Sequence, residues 1–95
     1  MDPIEARGYM IDATFDGSAL VVHAHNKAAA IALAGKDHRP DVVITRAEIA
    51  GVDWHGANML KNGNLIVRTL GGEKYQLHFR RKQTAEFEAL RDALT

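Results

Sequence analysis

The chain of 95 residues lacks cysteine, net charge and any long hydrophobic run. The absence of cysteine excludes disulfide bonds and thiolate metal sites. Twelve basic residues balance twelve acidic ones, which argues against nucleic acid as a partner, because nucleic-acid-binding domains usually carry strong net positive charge. The same balance leaves little long-range repulsion between copies of the chain.

Targeting and membrane-spanning signals are also missing from the sequence. The first five residues are acidic and lack the apolar segment of a signal peptide. No run approaches the ~18 consecutive apolar residues of a membrane span. We therefore expect a cytoplasmic protein, and neither nucleic acid nor a membrane is the expected partner.

An apolar content of 46% in 95 residues is sufficient for one folded domain. Residues 1–8 lack periodicity and are predicted to be a flexible N-terminal lead-in, so that residues 9–95 form the single domain. Within it, apolar residues alternate with polar ones, or form short β-branched runs, in six segments that are predicted to be strands. These segments are residues 11–15, 19–25, 41–45, 49–55, 65–70 and 74–79.

Turn residues separate several of these strands. Asp16, Gly17 and Ser18 favour a turn after the first strand, and Gly71 and Gly72 favour one before the last. From residue 83 onward the apolar period changes from two to about 3.6, which predicts an amphipathic helix over residues 83–94. Its apolar stripe contains Phe87, Leu90 and Leu94, and Thr84 is the predicted N-cap.

Residues 27–34 allow two interpretations. The alanine-rich segment has high helix propensity, Asn26 is a suitable N-cap, and Gly35 is placed to end a helix. A helix of about two turns would have to dock the side that carries Ile31 and Leu33, since it is too short to be stable alone. The alternation of Ala29, Ile31 and Leu33 also fits a strand. Residues 35–40 are predicted to be a charged loop.

The order of these elements resembles the pleckstrin-homology-like architecture, in which a small antiparallel barrel of six or seven strands is capped by a C-terminal α-helix. The resemblance is carried by the first predicted hairpin (residues 11–22), by residues 42–52 and 57–65, and by the helical segment 86–90. These segments look like the small bacterial pleckstrin-homology-like domain of unknown function, which is common in actinobacterial proteins and occurs in small proteins of their phages. The resemblance implies an α+β, mainly β fold and a module that binds a protein partner, in a phage setting a host protein.

The apolar residues exceed what one small barrel can enclose. Ten of them are the predicted core: Ile11, Phe15, Leu20, Val22, Ile44, Val67, Leu77, Phe79, Phe87 and Leu90. Five more are assigned to an interface, because an exposed apolar patch in a small domain usually marks one: Trp54, Met59, Leu60, Ile66 and Leu70. A non-catalytic module that self-associates, a homo-oligomer that also binds a protein partner, is the leading hypothesis.

One basic cluster supports the alternative hypothesis. Arg80, Arg81 and Lys82 follow the last strand and could contact the phosphates of an anionic lipid or of nucleic acid. In eukaryotic pleckstrin-homology domains the first hairpin loop often supplies such cations, whereas the turn at Asp16, Gly17 and Ser18 has none.

No catalytic or metal site is expected. His23 and His25 share one strand face, but a zinc site needs three or four converging ligands, and His38, His55 and His78 are scattered along the sequence. Asp53 and His55 would point to the same side of a strand with nothing to orient them. We therefore expect neither an enzyme nor a bound cofactor.

Overall fold

The computed structural model describes residues 2–35 and 39–95, and that part of the chain contains seven strands and two α-helices. The strands are β1 (Ile4–Arg7), β2 (Ile11–Phe15), β3 (Ala19–Ala24), β4 (Asp41–Thr45), β5 (Ile49–His55), β6 (Gly63–Thr69) and β7 (Lys74–Phe79). The helices are α1 (Lys27–Ala34), between β3 and β4, and α2 (Thr84–Leu94), at the C-terminus. Short 3-10 turns at Arg46–Glu48 and Arg81–Gln83 connect β4 to β5 and β7 to α2.

The strands form two antiparallel sheets. Sheet A has the order β1-β2-β3-β4 and sheet B the order β5-β6-β7. The predicted α+β, mainly β class with a C-terminal helix is thus confirmed. The strands pair in two separate sheets, and no ladder between described residues closes them into a single barrel.

The core lies between the inner faces of the two sheets and α2. All ten residues that the sequence pattern assigned to the core are buried. Helix α2 contacts β1, β5 and β6 and buries Phe87, Leu90 and Leu94, as its apolar stripe predicts. The ring of Phe87 stacks on that of Phe79 with 4.8 Å between the ring centroids. This aromatic pair joins α2 to sheet B.

Strand β1 lies in the segment that the sequence predicted to be a flexible lead-in. It pairs antiparallel with β2, and its Ala6 is fully buried opposite Ala13. The backbone N–H of Arg7 also donates a hydrogen bond to Oε2 of Glu86 on α2 (3.2 Å). With two inward residues, β1 is too short to show a period in the sequence, and its partners β2 and α2 stabilise it instead. Met1 lies outside the described residues.

Helix α1 resolves the two interpretations of residues 27–34 in favour of the helix. Asn26 is its N-cap, since its side-chain oxygen accepts from the backbone N–H of Ala29 (2.8 Å). Ala30 and Leu33, one helical turn apart, are buried, whereas Ile31 is 48% exposed, so the expectation that Ile31 docks was wrong. The predicted loop 35–40 includes residues 36–38, which lie outside the described residues.

Helix α2 begins at Thr84, and the predicted N-cap role of Thr84 was wrong. The N-cap position is Gln83, which makes no capping hydrogen bond to the helix. Thr84 Oγ1 instead donates to the carbonyl of Arg81 (2.7 Å), because the 3-10 turn Arg81–Gln83 already leads the chain into the helix. Gln83 Oε1 accepts from the backbone N–H of Arg80 (2.8 Å) and thereby fixes the end of β7.

Candidate binding surface

Trp54 faces the core side of sheet B and not an outer surface. It is half-buried, its ring lies 5.1 Å from that of Phe79, and the guanidinium of Arg91 covers it at 4.7 Å from the ring centroid. The inward direction follows from the alternation along β5, in which Trp54 pairs with the buried Leu65 of β6. Trp54 therefore belongs to the contact between sheet B and α2.

Ile66 and Leu70 lie apart from Trp54 and from each other. Ile66 is half-buried on the outer face of sheet B, between Asp53 of β5 and Gln76 of β7. Leu70 follows β6 in the turn to β7, where it is 74% exposed. The structure therefore does not bring Ile66, Leu70 and Trp54 into one patch.

Met59 and Leu60, which we call the apolar tip, lie in the connection between β5 and β6 and are 83% and 96% exposed. The side-chain oxygen of Asn58 accepts from the backbone N–H groups of Leu60 (2.8 Å) and Lys61 (3.0 Å). The Asn58 N–H also donates to the Lys61 carbonyl (3.0 Å). These bonds form an Asx-type turn, so a locally hydrogen-bonded loop holds both apolar side chains in solvent.

The apolar tip and Leu70 flank opposite ends of β6. Six residue steps of about 3.3 Å separate the ends of this strand, which amounts to ~20 Å. The five residues predicted as one interface are therefore distributed over four places. Only Met59 and Leu60 are both neighbours and almost fully exposed.

The basic cluster, Arg80, Arg81 and Lys82, is exposed where β7 ends and the 3-10 turn begins. Within the described residues none of these side chains, nor that of Lys61, forms an ion pair. The guanidinium of Arg80 lies 4.8 Å from the centroid of the Tyr9 ring. The cluster thus presents cationic groups that are not neutralised by described carboxylates.

The apolar tip and the basic cluster, which the sequence treated as two unrelated candidates, are neighbours in the fold. Residues 58–62 line a surface groove of about 380 Å³ together with Arg80 and Arg81. The register explains this, because Gly63 at the start of β6 pairs with Phe79 at the end of β7. We call the combination of the apolar tip, Lys61 and the basic cluster the tip surface.

The turn of the first hairpin adds two residues that sequence reasoning missed. Tyr9 and Met10 form the turn between β1 and β2 and are 44% and 39% exposed. Together with Arg80 and Lys82 they line a depression beside the basic cluster. Gly8 allows the hairpin turn to lie close to the end of β7, because a Cβ atom at this position would come within 2.5 Å of the His78 carbonyl oxygen. An alternation of Ile4 and Ala6 before Gly8 was the available signal, and it was too short to be decisive.

Identifying β1 also changes which turn is the first. The turn at Asp16, Gly17 and Ser18, which the sequence assigned to the first hairpin, joins β2 to β3. Its role is local, since backbone N–H groups of Ala19 and Ser18 bond to the Asp16 carboxylate and lower its pKa. The first hairpin turn is the one that lies beside Arg80.

Two of the histidines, His23 and His25, pair with carboxylates on the outer face of sheet A. Nδ1 of His23 lies 2.6 Å from Oδ1 of Asp41, and Nε2 of His25 lies 2.9 Å from Oδ2 of Asp12. No three or more histidine, aspartate or glutamate side chains among the described residues are grouped so that they could hold a metal ion. His38 lies outside those residues.

Asp53 and His55, the two residues that most resembled a catalytic pair, do not form a catalytic arrangement, because Asp53 pairs with an arginine. Oδ2 of Asp53 accepts from Nε of Arg68 at 2.9 Å across the outer face of sheet B. His55 on the same strand is exposed. The expectation that the protein is not an enzyme and takes no cofactor stays a prediction.

No helix in the described ranges has the length and apolar character needed to cross a bilayer. Comparison of the chain with protein-family models, with curated proteins and with solved structures gave no significant match.

Proposed function

We propose that this domain is a non-catalytic binding module that docks on an anionic membrane surface through the tip surface. The observation that carries the proposal is the position of Met59 and Leu60 beside basic side chains. Among the described residues these two are the most exposed large apolar side chains, and the neighbouring cations form no ion pair with a described carboxylate. Apolar groups that enter the boundary between headgroups and acyl chains, next to basic groups that attract anionic lipids, are typical of peripheral membrane binding. The turn at Asp16, Gly17 and Ser18 lacks the cations of a lipid-binding loop, but Lys61 and the basic cluster supply four cations on a different loop cluster.

The energetics of this contact favour reversible attachment. Burying one Met or Leu side chain completely contributes about 1.5–3 kcal/mol, and each Lys or Arg near an anionic surface contributes about 1 kcal/mol. Two apolar and four basic side chains therefore supply at most about 10 kcal/mol before the costs of association. We expect an affinity in the micromolar range that weakens with salt.

Two other occupants fit the tip surface less well. A second copy of the chain bound through the same surface would place four cations against four cations. A protein interface usually buries about 800 Å² on each partner, whereas the apolar part of the tip surface is two adjacent side chains. Nucleic acid would satisfy the cations, but its bases bind best by stacking on aromatic side chains, and the apolar tip contains none.

Vesicle co-sedimentation of the whole chain tests the proposal. We expect binding to vesicles that contain phosphatidylglycerol and little binding to pure phosphatidylcholine. Leu60→Asp should weaken binding at least tenfold, because it removes an inserting side chain and adds a negative charge. The matched control is Leu70→Asp, the same change at an exposed leucine at the other end of β6, and it should bind like the wild type.

Three results would contradict membrane docking. Equal sedimentation with both kinds of vesicle would show that the cations do not contribute to binding. An equal loss of vesicle binding in Leu60→Asp and Leu70→Asp would show that the apolar tip has no specific role. Tight binding to a single-stranded oligonucleotide that Leu60→Asp leaves unchanged would instead favour nucleic acid as the ligand of the basic cluster.

Self-association is a second candidate, and the free edge of β4 favours it. Among the described strands, β4 pairs only with β3, and its central residue Val43 is 61% exposed next to Val21. An antiparallel pair of β4 strands centred on Val43 would place Asp41 opposite Thr45, so that no like charges meet. Such a pair forms a symmetric dimer.

Light scattering coupled to size exclusion, at high micromolar concentration, tests this second candidate. We expect a dimer that Val43→Lys dissociates while the chain stays folded, because Val43 is exposed and lysine on an edge strand opposes pairing. Glu5→Lys, on the other edge strand of sheet A, is the matched control and should leave the dimer intact. A monomeric wild-type chain would exclude the candidate.

The pleckstrin-homology-like assignment also remains a proposal. The assignment is supported by the order of the elements along the chain, in which a four-stranded and then a three-stranded antiparallel sheet are followed by a C-terminal helix. The function that the resemblance implies, binding of a host protein by an actinobacteriophage accessory protein, is likewise a proposal, and affinity capture with the wild type and Leu60→Asp would test whether any such partner uses the tip surface.

A further inference from the structure

A second concave feature lies between α1 and the β7 edge of sheet B. It is an apolar groove of about 240 Å³, and its walls include Ala29 and Ala32 of α1, Tyr9 and Met10 of the first hairpin turn, and His78 of β7. The small alanine side chains leave the space open, because longer residues on this face of α1 would fill it. The volume exceeds the ~150 Å³ of an apolar cavity that holds a benzene ring and is below the ~300 Å³ of typical drug-sized pockets. A small ligand of roughly medium-chain length matches that size.

One wall of the groove is formed by a residue in an unfavourable backbone conformation. Met10 has a φ angle of 61°, and it is the only non-glycine residue with positive φ in the described ranges. Glycine adopts this conformation without steric cost, whereas other L-residues pay for contacts of Cβ. A methionine at this position is therefore poorer for the turn than glycine, and its side chain lines the groove.

The chemistry of the groove distinguishes its inner part from its margin. Burial lowers the pKa of the His78 imidazole, so that its neutral form is favoured at the inner wall, whose other side chains have no ionisable group that is charged at pH 7. At the margin, the Arg80 guanidinium lies over the ring of Tyr9 at 4.8 Å. Arg80 and Lys82 line the neighbouring depression, which shares Tyr9 and Met10 with the groove. An uncharged inner wall beside cations suits a ligand with an apolar chain and an anionic head.

We propose that this groove binds the free anion of a medium-chain fatty acid, with its acyl chain against Met10 and Ala32 and its carboxylate at Arg80 and Lys82. Hydrophobic burial supplies the binding free energy of the chain. The two cations select the carboxylate. The site shares Arg80 and Lys82 with the tip surface but does not include the apolar tip, and it does not require a membrane.

Titration of the whole chain with sodium octanoate below its micelle concentration, followed by ¹H–¹⁵N NMR, tests the proposal. We expect saturable shifts at Met10, Ala28 and Ala32, with a dissociation constant on the order of 10⁻⁴ M. Octylammonium, which has the same chain and the opposite charge, should bind at least tenfold more weakly.

Two variants examine the groove itself. Ala32→Phe fills the space from an exposed helix position and should abolish octanoate binding while the chain stays folded. Met10→Gly should weaken binding about tenfold through the lost methionine wall, whereas its melting temperature should not fall, because glycine relieves the positive φ. Leu60→Asp is the control that separates this site from the proposed membrane contact, and it should bind octanoate like the wild type.

The outcomes that overturn the proposal are distinct from those that overturn membrane docking. Absence of saturable shifts up to about 5 mM octanoate would exclude the site. Equal binding of octylammonium would refute the anionic head, and undiminished binding by Ala32→Phe would place the ligand elsewhere. Each of these results can occur whether or not the chain sediments with vesicles.

Discussion

Gly63 is the position where the structure predicts the sharpest effect of one added methyl group. A Cβ atom at Gly63 would come within 2.5 Å of Cε2 of Phe79, closer still to Cζ of the same ring, and within 2.8 Å of the Ala57 backbone nitrogen. The Phe79 ring cannot move aside easily, since it lies between the rings of Trp54 and Phe87 at centroid distances of 5.1 and 4.8 Å. Gly63→Ala therefore forces a displacement of a packed aromatic ring or of the loop.

The expected cost follows from two opposing effects. Overpacking a close-packed core usually destabilises by about 1–3 kcal/mol, and replacing glycine by alanine stabilises by about 0.4–1 kcal/mol through the unfolded chain. The net loss is about 1–2 kcal/mol. A domain of this size loses roughly 4–8 °C of melting temperature per kcal/mol, so we expect Gly63→Ala to melt about 10 °C below the wild type.

A double-mutant cycle of Gly63→Ala and Phe79→Leu, measured by thermal and urea unfolding, tests whether the loss of stability comes from the contact with the Phe79 ring. Phe79→Leu removes the obstructing ring atoms, so Gly63→Ala should cost less in the Phe79→Leu background than in the wild type. Gly56→Ala is the matched control, because its nearest neighbour would be Nε1 of Trp54 at an ordinary 3.6 Å, and it should change stability by less than about 0.5 kcal/mol. Equal costs of Gly63→Ala in both backgrounds would refute the steric explanation.

Two further predictions concern the neighbouring surfaces. Because burial lowers the pKa of His78, the unfolded chain binds more protons than the folded one between that pKa and the ordinary value of about 6.5. The free energy of unfolding should therefore fall as pH falls through this window, and it should fall less in His78→Gln. Melting temperatures measured from pH 7.5 to pH 5 test this. An equal pH dependence in both proteins would contradict a lowered pKa of His78. Asn58→Ala removes the side-chain acceptor of the tip loop and should weaken vesicle binding several-fold with little change in melting temperature, whereas an unchanged affinity would show that the tip needs no fixed loop.

Most of the fold could be predicted from the sequence because one face of each longer strand is buried. Alternation along β2 and β7 placed Ile11, Phe15, Leu77 and Phe79 in the core, and all four are buried. Strand β1 could not be predicted in this way, because it is four residues long and only Ile4 and Ala6 point inward.

The tip surface was predictable only in part. Its residues can be recognised within short segments of the sequence, whereas their proximity depends on the pairing of distant strands. Met59, Leu60 and the basic cluster could each be identified as unusual from composition. Their proximity depends on the register in which Gly63 pairs with Phe79, and no local pattern encodes that pairing. Trp54 was assigned to the interface because the apolar residues exceeded the space of one barrel, whereas in the structure α2 supplies Arg91, whose guanidinium covers the ring.

The position of Trp54 makes its fluorescence a probe of the contact between α2 and sheet B. The indole is the only one in the chain, and it lies between a ring of sheet B and a guanidinium of the C-terminal helix. Detachment of that helix would expose the indole to water and change its emission before the sheets separate. Fluorescence compared with far-ultraviolet circular dichroism would therefore show whether the helix leaves first or the whole domain unfolds in one step.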